Sequence, residues 1–292
     1  MPDTSIAPTF FAELKRASNG QKSSLSWISI AISDVQPKSD FDYYIAVGGT
    51  DVFVYYKEVL IQEFRVDKKT NGVELLTKTL NSIDKINASV YLNFAYPISS
   101  SVCKNGISAR LINPAKEYNF DDIINLDLVE IITKIKPNIT RIQILNDTVS
   151  ILSEAYFKDD VNACLILGTG FNIGLIYKNN IINLEAGNFN SFSPLQTTID
   201  IDKNSNKPTT QMLEKEIAGQ YLYQHYNLLT NSSDLNSSKQ LAQIQDPTTD
   251  EIYKNIWLKT SQIKSAVEQF LLPKKTNWVY DGSLIKYLNQ KF

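Results

Sequence analysis

Short apolar runs separated by glycine turns organise the first half of the chain. Asp42–Val47 is rich in aromatic and β-branched residues and leads through Gly48-Gly49-Thr50 into two more such runs, Val52–Tyr56 and Val59–Val66. Runs of this composition and length, punctuated by glycine, are typical of strands. The pattern therefore predicts a glycine-turned β-hairpin that is extended by a third strand.

Helical and strand-like segments alternate after this hairpin. The pattern predicts a helix, a strand, a polar loop, a second helix and a strand, with the regular elements at Gly72–Ile86, Ser89–Ala95, Leu126–Ile135 and Thr140–Leu145. Helices that alternate with strands are typical of α/β proteins. We therefore expect a mixed sheet that is flanked by helices.

The second half of the chain opens in the same way as the first. Strand Ala163–Leu167 is followed by the turn Gly168-Thr169-Gly170, by strand Ile173–Tyr177 and by the short strand Ile181–Leu184. Helices then predominate, with one strand between the last two, and these elements are Gln211–Tyr226, Asp250–Leu272, Asn277–Tyr280 and Ser283–Asn289. Each half is therefore predicted to begin with a glycine-turned hairpin and a third strand.

Two polar stretches are typical of linkers. They are Lys15–Ser24, which contains Gly20, and Thr197–Thr210, which contains Pro208. No helical-repeat period is evident in the sequence. The two hairpin-led halves therefore define the organisation of the chain.

Composition narrows the class of protein. Of the 292 residues, 43% are hydrophobic, which is enough for a sizeable core and excludes a wholly disordered chain. The 29 basic and 31 acidic residues give a net charge of −2, which argues against a nucleic-acid partner. Cys103 and Cys164 lack the spacing of a zinc site or a disulfide framework. With one histidine, His225, any chemistry must use carboxylates, amides, hydroxyls and lysines.

The N-terminus and the apolar runs predict where the protein is located. Met1–Phe11 has no cationic segment followed by an apolar one, and no run approaches the roughly 18 apolar residues of a membrane span. We therefore expect a soluble, cytoplasmic protein with no membrane partner. The oligomeric state is left open.

The two glycine turns are candidates for phosphate binding. Backbone N–H groups at a tight turn form an anion-binding nest, to which a Thr hydroxyl adds a donor. An ordinary hairpin would also use glycine, because glycine adopts positive φ without strain. The matching positions of the two turns favour phosphate binding by Gly48, Gly49 and Thr50 in the first half and by Gly168, Thr169 and Gly170 in the second.

A polar cluster follows the last strand of the first half, in Ile144-Leu145-Asn146-Asp147-Thr148-Val149. One interpretation is a helix N-cap supplied by Asp147 or Thr148, as at many strand-to-helix junctions. The other places the Asp147 carboxylate at the mouth of a cleft, where it would orient or deprotonate a substrate hydroxyl for attack on phosphorus. Both interpretations are open at this point.

Seven segments resemble, in order, motifs of the eukaryotic-type hexokinase and glucokinase family, within the actin-like ATPase superfamily. The segments are Ile45–Thr50, Asn93–Pro97, Leu145–Val149, Leu167–Asn172, Asn183–Gly187, Glu214–Leu222 and Val279–Leu284. They are similar to two phosphate motifs, three sugar-binding or catalytic segments, the Glu-Lys-x-x-Ser-Gly-x-Tyr-Leu helix and the adenosine-side segment. Any one match is weak, but seven in the family's order are specific.

The resemblance implies an α/β fold with two lobes and an interdomain cleft, which is the actin-like ATPase (ribonuclease H-like) architecture. We expect a small lobe with an N-terminal extension at residues 1–146 and a large lobe at residues 147–292. The implied activity is phosphorylation of the 6-hydroxyl of a glucose-type hexose, as in glycolysis. ATP and Mg²⁺ are the implied cofactors, and a hexose and a nucleotide are the implied partners.

The resemblance also implies roles for individual residues. Asp147 would be the catalytic base, and the sugar hydroxyls would be bound by Asn146, Asn172, Glu185 and Glu214. Lys116 matches a sugar-loop lysine of the family, although a solvated surface lysine is the alternative. Phosphate and nucleotide would be bound by the two turns and the adenosine-side segment, through Gly48, Gly49, Thr50, Gly168, Thr169, Gly170, Gly282 and Ser283. No direct metal ligand is implied.

The chain departs from the family's pattern on the phosphate and metal side. Ala46 stands where the first phosphate motif carries an Asp that helps to hold Mg²⁺. Asp51 and Phe53 replace the expected Asn and Arg. These differences favour an alternative function, namely a sugar-binding pseudokinase that acts as a sensor or regulator.

Other departures concern the sugar and the end of the chain. Ala95 and Ala115 stand at positions where the family has sugar-contacting hydroxyls, and Phe292 follows soon after the adenosine-side segment. By contrast, the carboxylate of Asp147 is retained, and a protein that only binds sugar needs no base. This retention favours the enzyme over the sensor.

Overall fold

The structure is a computed structural model that describes residues 5–49, 51–67, 69–112 and 119–292. The helices are α1 Ala7–Ser18, α2 Gly72–Leu80, α3 Leu128–Ile135, α4 Asp147–Asp159, α5 Gln196–Lys203, α6 Met212–Ile217, α7 Leu222–Thr230, α8 Ser238–Leu241, α9 Pro247–Leu271 and α10 Ser283–Lys291. The strands are β1 Ile28–Ala31, β2 Tyr43–Val47, β3 Asp51–Tyr56, β4 Val59–Arg65, β5 Ala88–Phe94, β6 Ile98–Cys103, β7 Gly106–Leu111, β8 Ile139–Leu145, β9 Ala163–Leu167, β10 Phe171–Tyr177, β11 Asn180–Asn183 and β12 Trp278–Asp281. No helix in these ranges is long and apolar enough to cross a membrane.

The described residues form two compact units. Unit 1 comprises Met1–Trp27, Asn162–Leu175 and Asn183–Phe292, and unit 2 comprises Ile28–Val161 and Ile176–Ile182. These units differ from the expected lobes, because the N-terminal segment belongs to unit 1 and α4 belongs to unit 2. The predicted lobe boundary at residues 146 and 147 stays a prediction.

The two sheets combine parallel and antiparallel strands, as expected for a mixed α/β fold. The strand orders are β4-β3-β2-β5-β8-β7-β6 and β1-β11-β10-β9-β12. In the seven-stranded sheet, β2 is antiparallel to β3 and parallel to β5, and β5 is parallel to β8. The carboxyl ends of β2, β5 and β8 therefore lie at the same edge of the sheet.

In unit 2, one face of the seven-stranded sheet packs against α2 and α3. Ile45, Val52 and Leu92 from the strands meet Leu76 of α2 and Ile132 of α3 in one buried cluster. Alternate positions on β2 and β3 are buried, which is the period of two expected for a strand with one face in the core. This packing fixes the edge of the sheet from which α4 begins.

The predicted polar loop after β5 is wrong, because β6 and β7 form an antiparallel hairpin there. Its first strand, Ile98–Cys103, has three consecutive serines and is largely exposed at the edge of the sheet. An edge strand that faces water on both sides gives little hydrophobic alternation. That is why the apolar pattern failed to reveal it.

In unit 1, α9 is a helix of 25 residues that packs against α1 and α7. Its N-cap is Asp246, whose side chain accepts a hydrogen bond from Thr249 N at 2.8 Å, and Pro247 occupies the first turn. The predicted linker Lys15–Ser24 is partly wrong, since α1 extends to Ser18 and buries Phe10 and Leu14.

The second predicted linker and one predicted helix also need correction. Residues 197–203 of the predicted linker Thr197–Thr210 belong to α5. The predicted helix Gln211–Tyr226 is broken at Ala218, whose ψ of 145° is extended, and this break separates α6 from α7. The interruption brings the backbone of Gly219 to the β9–β10 turn.

Candidate active site

The β9–β10 turn, Gly168-Thr169-Gly170, is held by hydrogen bonds at both ends. Gly168 N donates to Gly170 O at 3.0 Å within the turn. From the segment after α6, Gly219 N donates to Gly168 O at 2.7 Å and Gln220 N donates to Thr169 O at 3.2 Å. The turn is therefore fixed in place by the segment between α6 and α7.

Three glycines allow backbone to pack directly on backbone around this turn. A Cβ on Gly219 would lie 2.5 Å from Gly168 O, and a Cβ on Gly168 would lie 3.3 Å from Gly282 Cα. Gly282 has φ of +102°, and a Cβ there would collide with Leu167 O. The expected nucleotide residues Gly282 and Ser283 are thus brought to the turn at the start of α10.

A cavity of about 530 Å³ lies beside the turn in unit 1. Its lining includes Gly168 and Thr169 of the turn, Ser283 of α10, the cationic Lys239 and the ring pair Tyr253 and Tyr287, whose centroids are 4.9 Å apart. The volume falls in the usual range for small-molecule sites. Aromatic rings, hydroxyls and turn amides suit a ligand with a planar base and phosphates.

A chain of amides and a carboxylate lies on the strands next to the turn. Asn172 Nδ2 donates to Asn183 Oδ1 at 2.9 Å, and Asn183 Nδ2 donates to Glu185 Oε1 at 2.8 Å. The Asn172 side chain is fixed in turn, because its Oδ1 accepts from Ile173 N at 2.7 Å and from Ala186 N at 3.1 Å. This chain orients the Glu185 carboxylate.

Sequence reasoning missed the connecting role of Asn183, which is 0% exposed. Its place in the matched Asn183–Gly187 segment was visible, but its side-chain contacts depend on the pairing of two strands. Glu185 follows it with φ of 46°, in the left-handed region that non-glycine residues rarely adopt. Such a backbone conformation is common at ligand-binding positions.

Glu214 on α6 reaches the same hairpin with a nearly buried carboxylate, 5% exposed. Its Oε2 accepts from Phe171 N at 3.1 Å, and Gln220 Nε2 lies 3.4 Å from its Oε1. Gly170 and Gly187 leave room for it, since a Cβ on either would lie 3.1 Å from Oε2. The structure therefore brings the expected residues Asn172, Glu185 and Glu214 to the region of the β9–β10 turn.

In unit 2, Asn146 and Asp147 stand where β8 runs into α4. Asn146 is the N-cap, because its Oδ1 accepts from Thr148 N at 3.0 Å, while its Nδ2 donates to Tyr96 O at 3.3 Å. The N-cap interpretation of Asp147 or Thr148 is therefore wrong. Asp147 is the first helical residue, is half-buried, and accepts at Oδ1 from Thr148 N at 2.7 Å.

The first phosphate turn lies at the end of β2. Gly48 N donates to Asp51 O at 2.9 Å, and Tyr96 Oη donates to Gly48 O at 3.3 Å. Gly49 follows within the described residues. Three other residues named from the sequence, Thr50, Ala115 and Lys116, lie outside the described residues.

Gly48 and Gly49, the described residues of this turn, offer no side-chain ligand for a metal. Ala46 has no donor side chain and lies in register with Phe53 and Asn93, while the Asp51 carboxylate forms an ion pair with Arg65 at 3.5 Å. Across the described ranges, no group of three or more His, Cys, Asp or Glu side chains could hold a metal ion. The absence of a direct metal ligand stays a prediction.

Comparison with protein families and known sequences identifies similar proteins. The hexokinase family model matches residues 162–229. Hexokinase-1 of Spinacia oleracea is 32% identical over 153 residues, and Hexokinase-2 of Oryza sativa subsp. japonica is 31% identical over 153 residues. Each alignment covers 44% of this chain and 30% of the plant protein. The segment matched by the hexokinase family model, residues 162–229, contains the β9–β10 turn, Asn172, Glu185 and Glu214.

Comparison with solved structures gives a similar fold along nearly the whole chain. A hexokinase from Schistosoma mansoni complexed with glucose has a TM-score of 0.72 at 17% identity and covers 97% of this chain and 85% of that one. A ROK family glucokinase from Streptomyces griseus in complex with glucose and AMPPNP has a TM-score of 0.54 at 14% identity, covering 82% and 94%. The expected actin-like ATPase fold class is confirmed.

Proposed function

We propose that this chain, whose residues 162–229 match the hexokinase family model, is a sugar kinase that phosphorylates the 6-hydroxyl of a glucose-type hexose. The observation that carries the proposal lies within unit 1. One β-hairpin bears both the glycine turn at residues 168–170 and Asn172, and Glu214 is hydrogen-bonded to the same hairpin. A phosphate-type turn and sugar-type ligands are thus built on one rigid element.

The sugar ligands in this proposal are carboxylates and amides. Carboxylates accept hydrogen bonds from sugar hydroxyls, and an amide can both donate and accept. Glu185 and Glu214 would accept from hydroxyls, while Asn172 and Asn146 would also donate. Lys116 stays a prediction as a sugar ligand.

Asp147 is the proposed catalytic base. As the first residue of α4, Asp147 places its carboxylate at the N-terminal end of the helix, where the helix dipole is positive. It would take the proton of the 6-hydroxyl as the oxygen bonds to the γ-phosphorus of ATP and the bond to ADP breaks. General-base catalysis of this kind contributes about 10²–10⁴-fold.

The cavity beside Gly168 and Thr169 is the proposed nucleotide site. Thr169 and the β9–β10 turn would contact phosphate, with Gly282 and Ser283 on the nucleotide side, and Gly48, Gly49 and Thr50 of the first phosphate turn would also contact phosphate. Mg²⁺ in this proposal arrives with the nucleotide phosphates, since Ala46 supplies no carboxylate for it. Magnesium is commonly bound through substrate phosphates with few protein ligands.

A sugar-binding pseudokinase is the second candidate function. The observation that favours it is the first phosphate turn, where Ala46 has no carboxylate and Asp51 is paired with Arg65. Under this proposal the protein would bind sugar without transferring phosphate. The cytoplasmic location is part of the proposal for either function.

A coupled assay separates the two candidates. Purified protein is incubated with ATP, Mg²⁺ and a panel of hexoses, ADP release is followed, and glucose binding is measured by calorimetry in parallel. Turnover that depends on both sugar and Asp147 supports the kinase. Glucose binding without turnover supports the sensor, and the absence of both contradicts the proposed function.

A further inference from the structure

Helix α6 carries three consecutive charged side chains that are all nearly buried. Glu214 is 5% exposed, Lys215 is 2% exposed and Glu216 is 2% exposed. Successive residues on a helix are about 100° apart, so the three side chains leave α6 in different directions. Burying a charge is costly unless the charge is paired and hydrogen-bonded, so the partners of each decide what α6 does.

Two of the three charges are held by partners away from the candidate sugar site. Lys215 Nζ donates to Asp202 Oδ1 at 2.5 Å and to Lys207 O at 2.8 Å. Glu216 Oε1 forms an ion pair with Lys259 Nζ of α9. The other oxygen of Glu216 accepts from Leu195 N at 2.9 Å and from Thr198 Oγ1 at 2.8 Å.

The Glu216 carboxylate therefore ties α6 to two other helices. Lys259 belongs to α9, while Leu195 and Thr198 lie at the start of α5. The Lys259 ammonium also lies 4.9 Å from the centroid of the Phe192 ring, in the segment that leads into α5. One buried carboxylate thus joins α5, α6 and α9.

Helix α6 depends on such contacts for its position, because it has only six residues. A helix of this length is unstable alone, since nucleation is unfavourable and few internal bonds form. Its boundaries are also non-helical, with Gln211 at φ of 52° before it and extended Ala218 after it. The direction in which Glu214 points is therefore set by what holds the rest of α6.

We infer that Glu216 and Lys259 form a positioning pair that holds the Glu214 carboxylate in its sugar-binding orientation. The inference rests on the proposed function, which assigns Glu214 to the sugar. The third charge on α6, the Glu214 carboxylate, contacts the β9–β10 hairpin and accepts from Phe171 N at 3.1 Å. Loss of the pair should therefore weaken the hydrogen bond from Phe171 N to Glu214 and weaken sugar binding. Neither residue of the pair is itself placed in contact with substrate.

The test replaces Lys259 by methionine, whose unbranched side chain fills the space of the aliphatic part of the lysine. The change leaves the Glu216 carboxylate buried without its cation. The control is Lys254→Met, the same change at an exposed position on the same helix. Glucose affinity of Lys259→Met should fall about tenfold, as for residues coupled in one network, while ATP affinity changes less than about twofold. The double variant Glu216→Met with Lys259→Met should bind glucose about as weakly as Lys259→Met, because Leu195 N and Thr198 Oγ1 also lose the acceptor that ties α6 to α5.

A second readout does not need the sugar. Amide hydrogen exchange at Phe171 should be several-fold faster in Lys259→Met than in the parent and in Lys254→Met, because the acceptor on Glu214 is less well held. If the parent binds no glucose, the proposed function fails, but this exchange measurement still decides the inference. Unchanged Phe171 exchange in folded Lys259→Met overturns it, as does parental glucose affinity in a protein that binds glucose.

Thr198→Val covers the case in which Lys259→Met does not fold. This change removes one hydrogen bond to Glu216 without stranding a charge, so the fold should persist. We expect faster Phe171 exchange and a glucose affinity about twofold to fivefold weaker, as for one lost hydrogen bond. Parental values for both would overturn the inference.

Discussion

Asn183 offers a direct test of the sugar site, because its amide joins Asn172 to Glu185. Asn183→Ala removes three hydrogen bonds at once: one from Asn172 Nδ2 at 2.9 Å, one from Glu185 N at 3.1 Å and one to Glu185 Oε1 at 2.8 Å. The side chain is fully buried, so water does not freely replace these partners. The Glu185 carboxylate should lose its fixed orientation.

The size of the effect follows from the kinds of bond that are lost. Bonds between neutral groups contribute about 0.5–1.5 kcal/mol each, and a bond to a charged group contributes about 1.5–3 kcal/mol. The two neutral bonds and one charged bond therefore suggest a loss of about 2.5–6 kcal/mol in the free energy of unfolding. At about 2–4 °C per kcal/mol, the lower end of that range already lowers Tm by about 5–10 °C. Glucose affinity should fall about tenfold, or about 1.4 kcal/mol.

Thermal unfolding and calorimetry with glucose measure the two effects. Asn180→Ala is the matched control, since it lies on the same strand and its amide donates near the surface to Lys178 O at 2.9 Å. The control should leave Tm within about 2 °C of the parent, as for most surface changes. The reasoning is refuted if Asn183→Ala binds glucose as the parent does, or if its Tm falls no further than that of the control.

Three further predictions test other parts of the molecule. Asp147→Asn should lower turnover by about 10²–10⁴-fold while glucose affinity in calorimetry stays within a few-fold, and near-parental turnover would exclude Asp147 as the base. Ala46→Asp should raise turnover by up to about 10–100-fold and lower the Mg²⁺ concentration for half-maximal rate, whereas no rate in either protein would favour the sensor. Hydrogen bonds from the Thr249 hydroxyl and amide and from Tyr226 hold the pKa of Asp246 below its usual value of 3.8, so its stabilisation is present above that pH and is lost as pH falls through the lowered pKa. Asp246→Asn keeps an oxygen acceptor for the α9 cap, so its Tm should fall less steeply than the parent's below pH 3.8, and equal slopes would contradict this assignment.

The elements that could be predicted from sequence are those with strong local signals. The hairpin β2–β3 and the hairpin β9–β10 have glycine turns between apolar runs, and α9 has long helical periodicity. The β6–β7 hairpin was missed because its serine-rich edge strand lacks alternation. Helix α1 was not predicted, because its apolar face becomes meaningful only through packing on α9.

The candidate site shows the same division between local and tertiary information. Motifs gave the residues Asn172, Glu185 and Glu214, because each stands in a recognisable segment. The contacts that orient them could not be read in this way, since Asn183 acts across two strands and Glu216 acts through Lys259, which is distant in sequence. Side-chain pairs of this kind arise only when the fold brings their elements together.

The cap of α4 bears on the choice between kinase and sensor. Asn146 caps this helix, since its Oδ1 accepts from Thr148 N at 3.0 Å. The carboxylate of Asp147 accepts from the same N–H at 2.7 Å, and a negative charge in the first turn also stabilises a helix. The position of Asp147 therefore fits a structural role as well as a catalytic one. The turnover of Asp147→Asn decides whether this acid also serves phosphoryl transfer. Ala46 argues against phosphoryl transfer only if Mg²⁺ must be held by the protein rather than by the nucleotide. The Mg²⁺ concentration for half-maximal rate, compared between the parent and Ala46→Asp, tests that condition.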